Sequence, residues 1–145
     1  RPVPMYDAIL CPTDGSAGSD AAIEQACGLA ALTGAQIHAL FVVDEGIAGA
    51  DEWDLVVERE EERGERALDA VAEAAAARGI ETEPHLRRGR PNEEILDAAT
   101  DYGVDLIVMG THGRTGIGRF VTAGSVAERV VRHSELPVLT AHIGE

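Results

Sequence analysis

Between Met109 and Val126 the chain reads MGTHGRTGIGRFVTAGSV, with glycine at 110, 113, 116, 118 and 124. Gly110 and Gly113 remove side chains where backbone must come close to a ligand. Gly124, Ser125 and Val126 stand where a helix would begin, so its free N–H groups and dipole face an anion. The Ser125 hydroxyl can serve there as a helix cap or as a phosphate donor. No acid occurs between Asp105 and Glu128, although the chain carries 26 Asp and Glu against 12 basic residues. His112, Arg114 and Arg119 fall inside that window, part of which reads as a buried strand. The chemistry implied is the holding of a phosphate. His112 has no partner in the sequence that would make it a general base. Asp14, in CPTDG, suits either a ligand contact or an Asx turn that caps a helix. Asp44 and Glu45 suit either an approach to bound Mg²⁺ or a solvated loop end.

Composition narrows the reading further. A chain of 145 residues with 45% hydrophobic and 3% aromatic content makes one domain, with a core packed mainly by Ala, Val, Leu and Ile. The net charge of −14 argues against general affinity for nucleic acid or anionic membrane. All 12 basic residues are Arg. Without a lysine there is no Walker-type phosphate loop, no Schiff base and no lysine general base. An acidic, lysine-free surface suits a halophilic setting, where salt screens repulsion among carboxylates. A codon bias would explain the missing lysine but not the excess acid. Cys11 and Cys27 are read as small apolar fillers. No apolar run approaches the roughly 18 residues of a membrane span, and no signal-peptide order is evident. A soluble cytoplasmic protein is expected.

The elements that must position these residues follow from pattern. YDAILCPTDG is a buried strand running into a turn, and apolar residues recur at helical spacing from Ser19 to Leu32, with Gly34 as the stop. QIHALFVVDEG is a second strand ending at Asp44, followed by a glycine-bearing loop and a long helix from about Glu52 to Arg78. ETEPHLRRG holds Pro84, which predicts an edge strand. Pro91 opens a helix that runs to Tyr102, VDLIVMG is a central strand, and a helix from Ser125 to His133 precedes the last strand, PVLTAHI. Strands and helices alternating in this way predict an α/β, doubly wound five-stranded parallel sheet of order 3-2-1-4-5, a Rossmann-like fold. A ligand in such a sheet sits beyond the carboxyl ends of the strands, where CPTDG, VVDEG and MGTHG should converge.

On ILCPTDGS, DLIVMGTHGRTG, GSVAERVV and PVL the chain resembles the universal stress protein family over nearly its whole length. The resemblance implies a nucleotide binder that holds ATP with Mg²⁺ at the ends of the first, second and fourth strands. The glycine motif matches at Gly110, Gly113, Gly124 and Ser125, but ten residues separate Gly113 from Gly124 where the family pattern has nine. A bulge at Gly116 or Gly118 would absorb the extra residue. Carried over residue by residue, Asp14 lies near the ribose and phosphates, with Pro12 shaping the turn beside it. The backbone of Val42 pairs with the adenine edge, and Met109 packs near the nucleoside. For Val42 and Met109 the alternative is ordinary core packing.

Three functional classes remain. The first is a nucleotide-binding stress or regulatory protein whose bound ATP alters its partner contacts or dimer state. The second is an adenine-nucleotide enzyme: DGSAGSD faintly resembles the phosphate loop of pyrophosphatases and adenylating ligases, but Ala17 replaces a glycine and no second catalytic cluster is visible. Weak hydrolysis of bound ATP belongs to this class. The third is a nucleotide-independent interaction module of the same fold. The resemblance also implies a homodimer built around the last strand, whose exposed edge carries no charged residue between Pro137 and Ile143 apart from His142, and pairing there is expected to bury Val138, Leu139 and Ile143.

Overall fold

A computed structural model describes residues 6–45, 53–111 and 125–142. Its elements, in chain order, are β1 (Ala8–Pro12), α1 (Ala17–Thr33), β2 (Gln36–Asp44), α2 (Trp53–Ala76), β3 (Thr82–Gly89), α3 (Pro91–Tyr102), β4 (Leu106–Gly110), α4 (Ser125–His133) and β5 (Val138–Ala141). The five strands form one sheet of order β3-β2-β1-β4-β5, and each neighbouring pair is parallel. This is the doubly wound arrangement expected from the alternation of elements.

Side chains alternate across each strand, so the central strands must be apolar on both faces. Ile9, Cys11, Ile37, Ala39, Phe41, Val43, Leu106 and Val108 pack with Ala22, Ala26, Ala67 and Val71 of α1 and α2. Leu10, Leu40, Ile107 and Met109 pack on the opposite face, with Ile95 and Ala98 of α3 and Ala127 and Val130 of α4. The small alanines let helix backbones lie close to the sheet, which is how so few aromatic residues fill a core. Pro84 falls in β3, an edge strand that can do without one ladder N–H.

Helix α1 starts two residues before the expected Ser19. Ser16 caps it, accepting from the Ser19 N–H at 3.3 Å, so the helix begins on the cap rather than on the first apolar residue. At β5 the side chains differ from expectation. Val138 and Leu139 are half-buried against opposite faces of their own sheet, so neither is wholly available to a partner. Ile143 lies outside the described residues. Among the described residues no helix is long and apolar enough to cross a membrane.

Candidate functional site

The sheet reverses its winding between β1 and β4, and β1 is short. Its pairing with β2 ends at Pro12 opposite Leu40, and the Thr13 N–H then donates to the Leu40 carbonyl at 2.8 Å. Strand β2 runs on to Asp44. Along a strand, successive residues aim their N–H and C=O to alternate sides. Gln36 bonds toward β1 and Ile37 toward β3, while Leu40 again faces β1. Val42 has the parity of Leu40, so its main-chain donor and acceptor point to the side that β1 has left. That notch is the crevice at the carboxyl ends of the strands.

The β1–α1 turn forms the floor. Gly15 has φ of 81°, a left-handed conformation that a side chain would strain. The Gly15 N–H donates to Thr13 Oγ1 at 3.1 Å, and the Ser16 N–H to Asp14 Oδ1 at 2.9 Å. The Ser19 hydroxyl donates to the same Oδ1 at 2.8 Å and accepts from the Asp14 N–H at 3.0 Å. Asp14 therefore makes the Asx turn that was the alternative to a ligand contact, with both bonds on one carboxylate oxygen. The turn is also tied to α2, because Arg63 Nη1 donates to the Asp14 carbonyl. The Arg63 guanidinium lies 4.9 Å from the centroid of the Phe41 ring and pairs with Glu60 at 2.9 Å.

The other wall is the end of β4. A Cβ on Gly110 would lie 2.5 Å from the carbonyl oxygen of Gly18, in the first turn of α1. Glycine is required there because strand and helix backbones touch. Met109 is buried among Leu10, Ile107, Ala127 and Val130, which is the core-packing alternative. Val42 is half-buried against the same cluster, leaving its main chain as the part that meets the crevice. Pro12 is buried at the end of β1. The main chain of Ser125 opens α4 and Val126 follows, half-buried. Gly113, Arg114 and Gly124, together with His112, Gly116 and Gly118, lie outside the described residues. The turn, β2 and β4 thus bring together Pro12, Asp14, Val42, Met109 and Gly110.

Sequence reasoning missed Thr13, Ser16, Ser19 and Arg63. The Ser16 to Ser19 spacing, a cap followed by a serine three residues on, was a local signal. For Arg63 the available signal was its neighbour Gly64, since a glycine inside a helix usually has a packing reason. A Cβ at Gly64 would lie 2.5 Å from the Phe41 ring.

The model of the universal stress protein family matches residues 5–142. A universal stress protein of Methanocaldococcus jannaschii is 38% identical over 139 residues, covering 93% of this chain and 81% of that protein. A second universal stress protein of that archaeon has a solved structure that superposes with a TM-score of 0.86 at 29% identity, covering 98% of this chain and 99% of the other. A universal stress protein solved in complex with cAMP superposes with a TM-score of 0.73 at 26% identity, covering 97% of this chain and the whole of the other. A family match across 138 residues, a relative at 38% identity and a shared fold lead to one conclusion: this chain belongs to the universal stress protein family.

Proposed function

We propose that the protein is a stress-response or regulatory factor that binds ATP with Mg²⁺ in the crevice beyond β1, and that nucleotide occupancy governs its contacts with partners. The observation that carries the reading is the overrun of β2 past β1, which turns the Val42 N–H and C=O toward the crevice. An adenine edge needs one donor and one acceptor at that spacing, and main chain supplies both whatever the side chain is. The cAMP bound by a structural relative supports an adenine nucleotide as the ligand class. Of the residues named, Val42 would hold the base and Asp14 would lie near the ribose and phosphates. The N–H groups at the start of α4, at Ser125 and Val126, would receive phosphate. Gly113, Arg114 and Gly124 would complete the phosphate loop.

The donors fit the cation as well. Mg²⁺ prefers carboxylate and phosphate oxygens and keeps several waters, so one or two carboxylates near the strand ends, Asp14 or Asp44, suffice. Its role would be to neutralise phosphate charge in a strongly acidic protein. Binding is the function assigned, with slow hydrolysis of bound ATP as a by-product of it. The same reading includes a homodimer formed along β5 and a cytoplasmic location.

Titration calorimetry on nucleotide-stripped protein at high salt tests the assignment. Saturable binding of ATP, strengthened by Mg²⁺, is expected. Gly113→Val and Gly124→Val should abolish it while leaving the circular dichroism spectrum unchanged, whereas Asp14→Ala should weaken it less. A folded protein that takes up neither ATP, ADP nor AMP would be the interaction module instead.

A further inference from the structure

On the outer edge of the sheet, away from the crevice, two imidazoles and a carboxylate meet. His38 of β2 lies opposite Glu83 of β3, and Leu40 lies opposite His85. Leu40 faces α3 and α4, so the alternation of the strands puts His38, Glu83 and His85 on that same face. His38 Nδ1 and His85 Nε2 are 2.9 Å apart, and His85 Nε2 is 3.6 Å from Glu83 Oε2. Donor atoms of the three residues all lie within 4.8 Å of one another, the one such group among the described residues.

Two aromatic contacts hold the rings in place. Tyr102, the last residue of α3, stacks on His85 with centroids 3.8 Å apart and planes at 15°, and on His38 at 5.6 Å and 11°. The nearby cation, Arg87, is committed elsewhere: it bonds Glu94 at 2.8 Å, Asp101 at 3.0 Å and the Tyr102 hydroxyl at 3.2 Å. His38 is buried, whereas the Glu83 side chain is 54% exposed, so the group opens to solvent on its carboxylate side.

We propose that His38, His85 and Glu83 bind a divalent transition-metal ion of the Zn²⁺ class, at a site separate from the nucleotide crevice. Two imidazole nitrogens and one carboxylate oxygen are a donor set that Zn²⁺ accepts, with bonds of about 2.0–2.2 Å and an open position left for water. Two nitrogens at about 2.05 Å from a tetrahedral ion stand about 3.3 Å apart. The observed pair need open by only about 0.4 Å, a small ring rotation under Tyr102. The facing nitrogens can share only one proton between them, and a cation takes the place of that proton while adding the carboxylate. His38 precedes Val42 by four positions and His85 lies opposite Leu40, two before it, so the ion would sit about 10 Å along β2 from the residue assigned to the base. It would clip the edge strand β3 to β2, and nothing in this inference depends on nucleotide binding.

Zn²⁺ titration of the chelator-stripped full chain tests the site, with excess Mg²⁺ present to occupy carboxylate-only positions on this acidic surface. One equivalent should bind saturably. His85→Gln should weaken binding by about a hundredfold or more, and the exposed Glu83→Gln by about tenfold. Co²⁺ should give visible d–d absorption in the wild type that His85→Gln loses, with both variants folded by circular dichroism. A wild type without saturable Zn²⁺ uptake would overturn the proposal. So would both variants binding Zn²⁺ as tightly as the wild type, because the ion would then lie elsewhere.

Discussion

Cys11 shows how a single side chain can be chemically silenced by its place in the sheet. It has no exposed surface in β1, and burial, with a smaller contribution from Cys27, pushes its thiol from 9.0 up to about 12. Three pK units lower the thiolate fraction about a thousandfold, so a thiol reagent should label Cys11 far more slowly in the native protein than in urea. A pKa raised in the folded state contributes stability that is intact below the unfolded value near 9 and is lost as pH rises toward about 12. Chemical denaturation across that window should show the wild type weakening steeply. Cys11→Ala should weaken less steeply from a lower starting stability, and parallel curves for the two would contradict the assignment. The filler role of Cys11 was legible from its position in an apolar run, whereas its neighbour Cys27 belongs to another element and appears beside it only on folding.

Among the elements, α2 carries the sharpest test of packing against propensity. Gly64 lies inside a 24-residue helix, where replacement by alanine would ordinarily stabilise by up to about 1 kcal/mol. Here the added Cβ would lie 2.5 Å from Phe41 Cδ2, and Phe41, a residue of β2, is buried between the sheet and α2 with no room to swing away. Overpacking of this kind typically costs about 1–3 kcal/mol, so Gly64→Ala should lower stability by about 1–2 kcal/mol in urea denaturation. A stabilised variant would mean that α2 stands off the sheet. Most elements were legible because their periodicity is local: α4 spans Ser125–His133 and α3 spans Pro91–Tyr102, as read. The start of α1 came two residues earlier than read, because the cap is Ser16 rather than the first apolar residue, and Arg63 reaching from α2 to the Asp14 carbonyl was not legible at all.

For the whole molecule, charge and the β5 edge pull in opposite directions. The net charge of −14 repels a second copy, while an edge strand with no charge between Pro137 and Ala141 offers its main chain to one. Val138 and Leu139 already pack on their own sheet, so apolar burial would contribute less than the roughly 1.5–3 kcal/mol of a fully transferred side chain. Main-chain pairing would then supply much of the association. Salt screens the repulsion and leaves the pairing, so light scattering over a salt series should show a homodimer that tightens as salt is added. A monomer throughout would remove the dimer from the proposed function, and loosening with salt would refute the electrostatic argument.

The sequence by itself determined the alternation of strands and helices, the parallel sheet and its order, and the family, because apolar period, glycine stops and a glycine-rich motif are all written in contiguous residues. It also excluded every mechanism that needs a lysine. Tertiary structure decided the rest. Asp14 is bound into a turn, a Cβ at Gly110 would meet the backbone of Gly18, and Met109 is packed into the core. The cluster of His38, Glu83 and His85 exists only because β2 and β3 pair in a register that joins residues 45 positions apart. Such groupings depend on which strands become neighbours and on what a helix lays across them, and no local pattern encodes either.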